Sequence, residues 1–452
     1  MILRLRDAVL ALLALAAAGE LAGAGEPIIG RTPSARSGPP AWGAPIDGQS
    51  GQPGGPGLAL RCAKALTCAR SGPQFIDDAV VLVRDGKLEA ITTAAEAKVP
   101  EGYERLDLGS HWLMPGMVDL HYHSAGSFDI NDMVYLANPE LRVAASVVPR
   151  NPNLDRNVAG GVTTVLYIPG SGTNIGGQGV LLKTGLDRFE EMVVRNPGSL
   201  KVAQWGNPER WVMGVGKTFE GWTIRDTFSR GRAYARAWKD FEEGRGPKPE
   251  LDLMFEPFRP IFDHKMQVSV HTQIYQVVLL TCTMLKGEFG VDVFLDHSEI
   301  GGWMAAPVAE KMGVPAIIGP RSVDPPSRFF INWAEVREEG FIGLGAGWQK
   351  GGHTKIGFNT DAPVIPGEEL LVQATMAGHY GMDGSKLDLV RGLTIVPAMT
   401  AGLGDRLGSL EPGKDADLLV IRGDPADPRS SVERVWIEGR SVYDVRGERR
   451  RF

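Results

Sequence analysis

Cysteine is nearly missing from this chain: Cys62, Cys68 and Cys282 are the only three in 452 residues. Three thiols build neither a disulfide framework nor a cysteine-rich zinc site, and at most Cys62 and Cys68 could pair locally. A surplus of positive charge is missing too. Lys and Arg number 48 against 54 Asp and Glu, a net charge of −6. Nothing is left over to neutralise a phosphate backbone, which argues against nucleic acid as a partner. No apolar run reaches the roughly 20 residues that a bilayer-spanning helix needs. Glycine and proline are abundant instead, 58 and 31 residues, about a fifth of the chain. That composition excludes a coiled coil or a helical repeat array and points to a loop-rich fold.

The first 24 residues read as a signal peptide. Arg4 and Arg6 supply a positive start, Ala8 to Leu15 form a short apolar core, and Ala22-Gly23-Ala24 fits a cleavage site. A periplasmic or secreted protein is expected, with an uncleaved anchor as the alternative. Residues 25–57 hold Gly, Pro, Ser and Ala with almost no large aliphatics. Such a segment cannot bury enough surface to offset its ordering entropy, so a disordered linker is expected.

Beyond it the pattern is regular. Asp78 to Ile91 reads as two strands joined at Asp85-Gly86, a hairpin signal. The far end mirrors it in Asp415 to Ile421 and Val432 to Arg440. Between the two ends lie apolar runs that alternate with helical stretches: 116–123, 162–169, 179–183, 200–204, 267–271, 291–297, 314–319 and 356–361. Eight such strands suit an α/β fold of the (βα)8 TIM-barrel type, and continuous apolar runs suit parallel strands covered on both faces.

The chemistry concentrates where these runs end. In Pro115-Gly116-Met117-Val118-Asp119-Leu120-His121-Tyr122-His123 the two histidines stand at i and i+2, on one side of a strand, and can share a metal. Three further runs end in His271, His297 and Asp361. Barrel active sites lie at the carboxyl ends of the strands, so these five side chains are expected to converge on one point.

This set resembles the amidohydrolase superfamily, and within it the imidazolonepropionase-like metal-dependent hydrolases. The likeness runs from about Ala63 to Asp444. It rests on the 115–123 segment, on His271, His297 and Asp361, and on Leu393 to Ala398 and Gly408-Ser409-Leu410-Glu411-Pro412-Gly413-Lys414-Asp415-Ala416-Asp417-Leu418 near the end. The resemblance implies a barrel over residues 115–400 and a small β-sandwich built from both chain ends, residues 58–114 and 401–446. It implies hydrolysis of a carbon–nitrogen bond in an amide, lactam or dipeptide-like small molecule. One or two divalent ions would activate water, zinc before iron, manganese or nickel. Asp361 would act as ligand and base, and His297 as a second ligand or an oxyanion stabiliser.

Lys183, closing a short apolar strand, is the expected lysine of that centre. A free ammonium repels a cation, whereas a carbamylated Lys183 would bridge two metals. The fourth strand, 201–204, ends in Gln204, a poor bridge, and Glu209 is a weaker candidate. The full expected metal set is His121, His123, Lys183, His271, His297 and Asp361. Two alternatives stand beside it: a mononuclear deaminase or cyclic-amidine hydrolase using His121, His123, His271 and Asp361, and a non-catalytic secreted binding protein on a degenerate barrel. The glycine-rich stretch 170–179 lacks a P-loop ending and is expected to line the site. The segment 205–263 is read as a long insert containing a helix over 227–242; its Arg210, Arg225, Arg230, Arg232 and Arg236 suggest a lid that recognises an anionic group, with surface packing as the alternative. His111, His264, His353 and His379 lie outside clear strand ends and are not expected to be ligands. Stable membrane insertion after signal cleavage is not expected, and a homo-oligomer is compatible with the sequence.

Overall fold

The computed structural model describes residues 50–127, 130–204, 216–324 and 342–447. The signal segment, residues 25–49 of the linker, Glu209 and the insert's Trp205, Arg210 and Trp211 lie outside the described residues. Residues 50–57, the last part of that linker, form a turn in which the Gly51 N–H donates to Pro56 O and the Gly86 N–H donates to Gly51 O.

The chain opens with β1 (Leu58–Leu66), β2 (Phe75–Arg84), β3 (Lys87–Thr93), β4 (Glu104–Asp107) and β5 (Trp112–Pro115). It then runs through β6 (Met117–Tyr122), β7 (Val162–Tyr167), β8 (Ile175–Gln178), β9 (Val180–Lys183), β10 (Val193–Arg195), β11 (Ser199–Ala203), β12 (Gln267–Ile274), β13 (Val293–Ile300) and β14 (Ala316–Ile318). A short pair, β15 (Val323–Asp324) and β16 (Ile342–Gly343), precedes β17 (Ile356–Phe358), and β18 (Leu418–Arg422), β19 (Ser431–Ile437) and β20 (Arg440–Asp444) finish the chain. The two ends meet in one sheet ordered β20-β19-β18-β5-β1-β2-β3, with β4 alongside β1. The two mirrored strand clusters of the sequence thus share one sheet, joined through β18, which runs antiparallel to β5, and through a single bridge between Lys87 and Asp415.

Each of the eight expected central runs forms a strand, and the arrangement is TIM-barrel-like. β6 and β7 are parallel, as are β11, β12, β13, β14 and β17 in succession. An isolated bridge joins Tyr122 to Ala362, just past β17, and the His123 N–H donates to Ala362 O at 2.9 Å. One inner cluster gathers Val118, Leu120, Leu166, Leu181, Phe294 and Ile317 from five of these strands. Met117, Val165, Val202, Val270 and Leu295 face the other way, into the larger cluster shared with the helices. Burial on both faces is why these strands read as unbroken apolar runs.

One strand departs from the parallel rule. β8 pairs antiparallel with β11, and β9 pairs antiparallel with β7. The third strand thus runs backwards, and its last residue, Lys183, lies at the amino ends of its neighbours. The helix expected over 227–242 is longer, Lys217–Glu242.

Candidate metal centre

At the carboxyl ends of the strands the backbone bends repeatedly to aim side chains inward. The register of β6 against β7 shifts between Asp119 and Tyr122, the local irregularity by which a strand re-aims a residue. Asp119 holds that bend: its carboxylate accepts from the His121 N–H at 3.1 Å and from the Thr360 hydroxyl at 2.6 Å, tying the first strand to the eighth. On β13 the residues His297 and Ser298 take φ of 64° and 54°, and Asp361 takes 50°. Strict alternation would turn Asp296 and His297 to opposite sides; the left-handed turn is where it fails.

The result is a tight, buried cluster. His121 Nε2 lies 3.1 Å from His123 Nε2, and each is 3.3 Å from Asp361 Oδ1. The ring of His297 stands 4.3 Å from those of both His121 and His271, centroid to centroid. His121, His271 and His297 form one group able to hold a metal ion, and His121, His123 and Asp361 form another. All five residues expected to converge do so.

The outer nitrogen of each imidazole decides what the inner one can do. His123 Nδ1 donates to Ile168 O and His297 Nδ1 to Gly319 O, each at 2.9 Å. A carbonyl only accepts, so both rings carry their proton on Nδ1 and turn an Nε2 lone pair inward. His271 Nδ1 pairs with the Ser171 hydroxyl at 2.8 Å, and His121 Nδ1 lies 3.0 Å from Asp296 Oδ2. His271 Nε2 and His297 Nε2 are buried with no hydrogen-bond partner. Inward lone pairs facing a carboxylate suit a divalent cation, and the outer partners of His123, His271 and His297 match the way metal-binding histidines are oriented, whereas His121 Nδ1 lies near Asp296 without a hydrogen bond.

Lys183 is not part of this cluster. Its Nζ is 2.9 Å from Asp415 Oδ2, 2.5 Å from Asp417 Oδ2 and 3.8 Å from Glu438 Oε1, at the opposite end of the barrel. The expectation that it bridges metals is corrected by strand direction: an antiparallel strand delivers its last residue to the wrong end. Lys201 occupies the place instead. It is fully buried, with Nζ 3.3 Å from His121 Nε2 and 3.8 Å from Asp296 Oδ2. Lys201 is not at a strand end; it stands in the middle of β11, and its four-carbon side chain reaches the site from there. Its signal was a lone charge between Leu200 and Val202, both apolar. Asp296 was missed because the adjacent His297 already accounted for that strand end.

Electrostatics follow from burial. It lowers His121 and His297 to about 3, helped by Lys201 and by each cluster's other imidazoles, and holds His271 well below its ordinary value. Burial raises Asp119 and Asp296 to about 7 and lowers Lys201 to about 8 against the opposing pull of Asp296 and Asp361. Burial would raise Asp361 as well, but His297, His121 and His123 outweigh it and hold the carboxylate well below its usual range.

The glycine-rich stretch does line the site, through Ser171. Among the described residues of the insert, Arg225 pairs with Glu288 at 3.0 Å, Arg232 donates to Glu288 O, and Arg230 and Arg236 lie 3.9 and 4.0 Å from Asp226 and Asp240 on their own helix. His264 is exposed on Asp292 and His353 is buried beside Glu310, both outside the cluster.

A family model described as the amidohydrolase family matches residues 336–442. An amidohydrolase, tasK, of Hapsidospora irregularis is 27% identical across 80% of this chain; the match spans 40% of that relative's length. An imidazolonepropionase of Sphingopyxis alaskensis is 23% identical, covering 81% of this chain and 92% of its own. Among solved structures, an amidohydrolase from Thermotoga maritima superposes with a TM-score of 0.75 at 29% identity, over 86% of this chain and all of that one.

Proposed function

The chain belongs to the amidohydrolase superfamily, and from that premise we propose that it is a metal-dependent hydrolase cleaving a carbon–nitrogen bond in an amide, lactam or dipeptide-like small molecule. The observation that carries this reading is the meeting of His121 Nε2, His123 Nε2 and Asp361 Oδ1 within 3.3 Å of one another, deep in the protein. A carboxylate and two imidazole nitrogens held this close and shielded from solvent suit a cation between them. A divalent ion, zinc on these ligands, would lower the pKa of water toward neutrality and polarise the scissile group.

The chain's own residues divide the remaining work. His121, His123, His271 and His297 offer imidazole nitrogens, and their outer contacts keep the rings from turning away. His297 acts as a ligand in this reading, because a ring that donates from Nδ1 to Gly319 O has no N–H left for an oxyanion. Asp361 takes a proton from the attacking water and returns it to the leaving nitrogen. Lys201 assumes the part expected of Lys183: as a carbamate it would be an anion shared by two ions. A second reading, the mononuclear deaminase or cyclic-amidine hydrolase, is favoured by the 3.8 Å approach of Lys201 to Asp296, which suits an ammonium.

Elemental analysis of protein expressed with zinc and bicarbonate separates them. Close to two metals per chain, falling in Lys201→Ala but not in Lys183→Ala, supports the bridged hydrolase. One metal in parent and Lys183→Ala alike, with ammonia released on turnover, supports the deaminase. A protein that binds no metal refutes both. The fold that accompanies this reading is a closed eight-stranded barrel with a folded-over end sheet, supported by the Tyr122–Ala362 bridge and by buried residues on both faces of β1 and β2. Export is proposed on the N-terminal segment alone, and a mature chain beginning at Gly25 is the outcome expected from N-terminal sequencing.

A further inference from the structure

The stretch Gly170-Ser171-Gly172 has a role that neither phosphate binding nor simple lining explains. Ser171 is buried, and its hydroxyl lies 2.8 Å from His271 Nδ1. The glycines on either side are there for a neighbour. Asn131, on the loop that follows β6, accepts from the Gly172 N–H through Oδ1 at 2.9 Å, and the Gly170 N–H donates to Ile130 O at 3.0 Å. A Cβ on Gly172 would stand 2.7 Å from Asn131 Oδ1, and one on Gly170 would overlap the same amide. Only a residue without a side chain lets that amide close over the backbone on both sides of Ser171. The first and second loops at the mouth of the barrel therefore grip one serine and point it at a histidine on the fifth strand.

His271 needs such a device more than its neighbours do. His123 and His297 are oriented by backbone carbonyls, which no substitution removes and which accept only. His271 depends on a side chain, and on one that can donate or accept. We propose that Ser171 is a positioning residue of the metal centre: clamped by Asn131 between Gly170 and Gly172, it accepts the Nδ1 proton of His271 and so presents the Nε2 lone pair to the cation. This rests on the metal-hydrolase reading above and extends it to a loop serine and an asparagine outside the candidate ligand groups.

The test is zinc affinity of the intact protein by chelator competition, with the visible spectrum of the cobalt-substituted form alongside. Loss of an outer partner of a metal-binding histidine weakens binding about 10- to 100-fold. Ser171→Ala is expected to weaken zinc by that factor and to alter the cobalt bands. Ser171→Thr, which keeps the hydroxyl, is expected to stay near the parent. Gly172→Ala, which leaves Ser171 in the sequence but pushes Asn131 away, is expected to fall with Ser171→Ala. Parent-like zinc affinity and cobalt spectrum in Ser171→Ala would overturn the proposal. A parent that binds no zinc would overturn the hydrolase reading itself. In that case the ring-nitrogen NMR shifts of His271 decide the remaining claim: a tautomer unchanged by Ser171→Ala refutes the positioning role, and a changed one upholds it.

Discussion

Asp361 combines two burdens, a carboxylate at the centre of the histidine cluster and a backbone at φ 50°. Non-glycine residues held in the left-handed region cost about 1–3 kcal/mol, and such residues gather where the surroundings over-determine them for a purpose. Here Asp361 sits with His297 and Ser298, also left-handed, so three of the strained residues meet at the rim of the cluster. Asp361→Asn keeps the shape and removes the base. Turnover is expected to fall about 10²- to 10⁴-fold, measured as kcat on whichever amide or amidine substrate the parent accepts, with zinc still bound. Residues of this kind were legible because each ends an apolar run. Lys201, Asp296 and Ser171 were not. Their roles depend on reach, on a broken alternation and on a loop approaching from another strand, none of which has a one-dimensional signature.

At the scale of elements, the third strand is the instructive case. Its composition, Val180-Leu181-Leu182-Lys183, reads as a strand and is one, but composition carries no information about direction. A parallel assignment placed Lys183 among the metals; the antiparallel pairing with β7 places it at the amino ends of the neighbouring strands. Helices and their turns offer a test of a different sort. His353 follows the helix Leu344–Lys350, packs against Trp348 and lies 3.0 Å from Glu310. Burial lowers it to about 4, against the opposing pull of Glu310 and with a smaller contribution from Lys355. A depressed imidazole pKa means the unfolded chain binds the extra proton first. The corresponding stability, about 3 kcal/mol, is present in full above about 6.5 and is gone once pH has fallen through about 4. Urea midpoints measured from pH 7 to pH 4 should therefore decline less steeply in His353→Gln than in the parent.

For the whole molecule, the floor of the barrel and the end sheet are joined through charge. Lys183 lies against Asp415 and Asp417, while Arg406 and Lys87 pair with Asp415 from outside. Removing one member of a buried pair leaves an uncompensated charge, about 3–5 kcal/mol. Lys183→Ala should therefore lower the urea midpoint while leaving metal content unchanged, whereas Lys201→Ala should lower the metal content as well. Metal removal at the other end is expected to lower the thermal midpoint without unfolding the chain. The large apolar clusters around the strands do not depend on the ion, and a ligand bound at about 1,000 times its Kd contributes only about 4 kcal/mol. Circular dichroism of chelated protein, retaining its spectrum at room temperature, checks this.

The sequence by itself determined the eight central strands and the convergence of His121, His123, His271, His297 and Asp361. Those features follow from apolar periodicity and from the rule that parallel strands present their carboxyl ends together. Tertiary structure alone decided that one strand runs backwards, that Lys201 and not Lys183 reaches the cluster, and which partner holds each imidazole. Direction, side-chain reach and outer contacts are set by residues as far apart as Ser171 and His271, brought together only when the barrel forms.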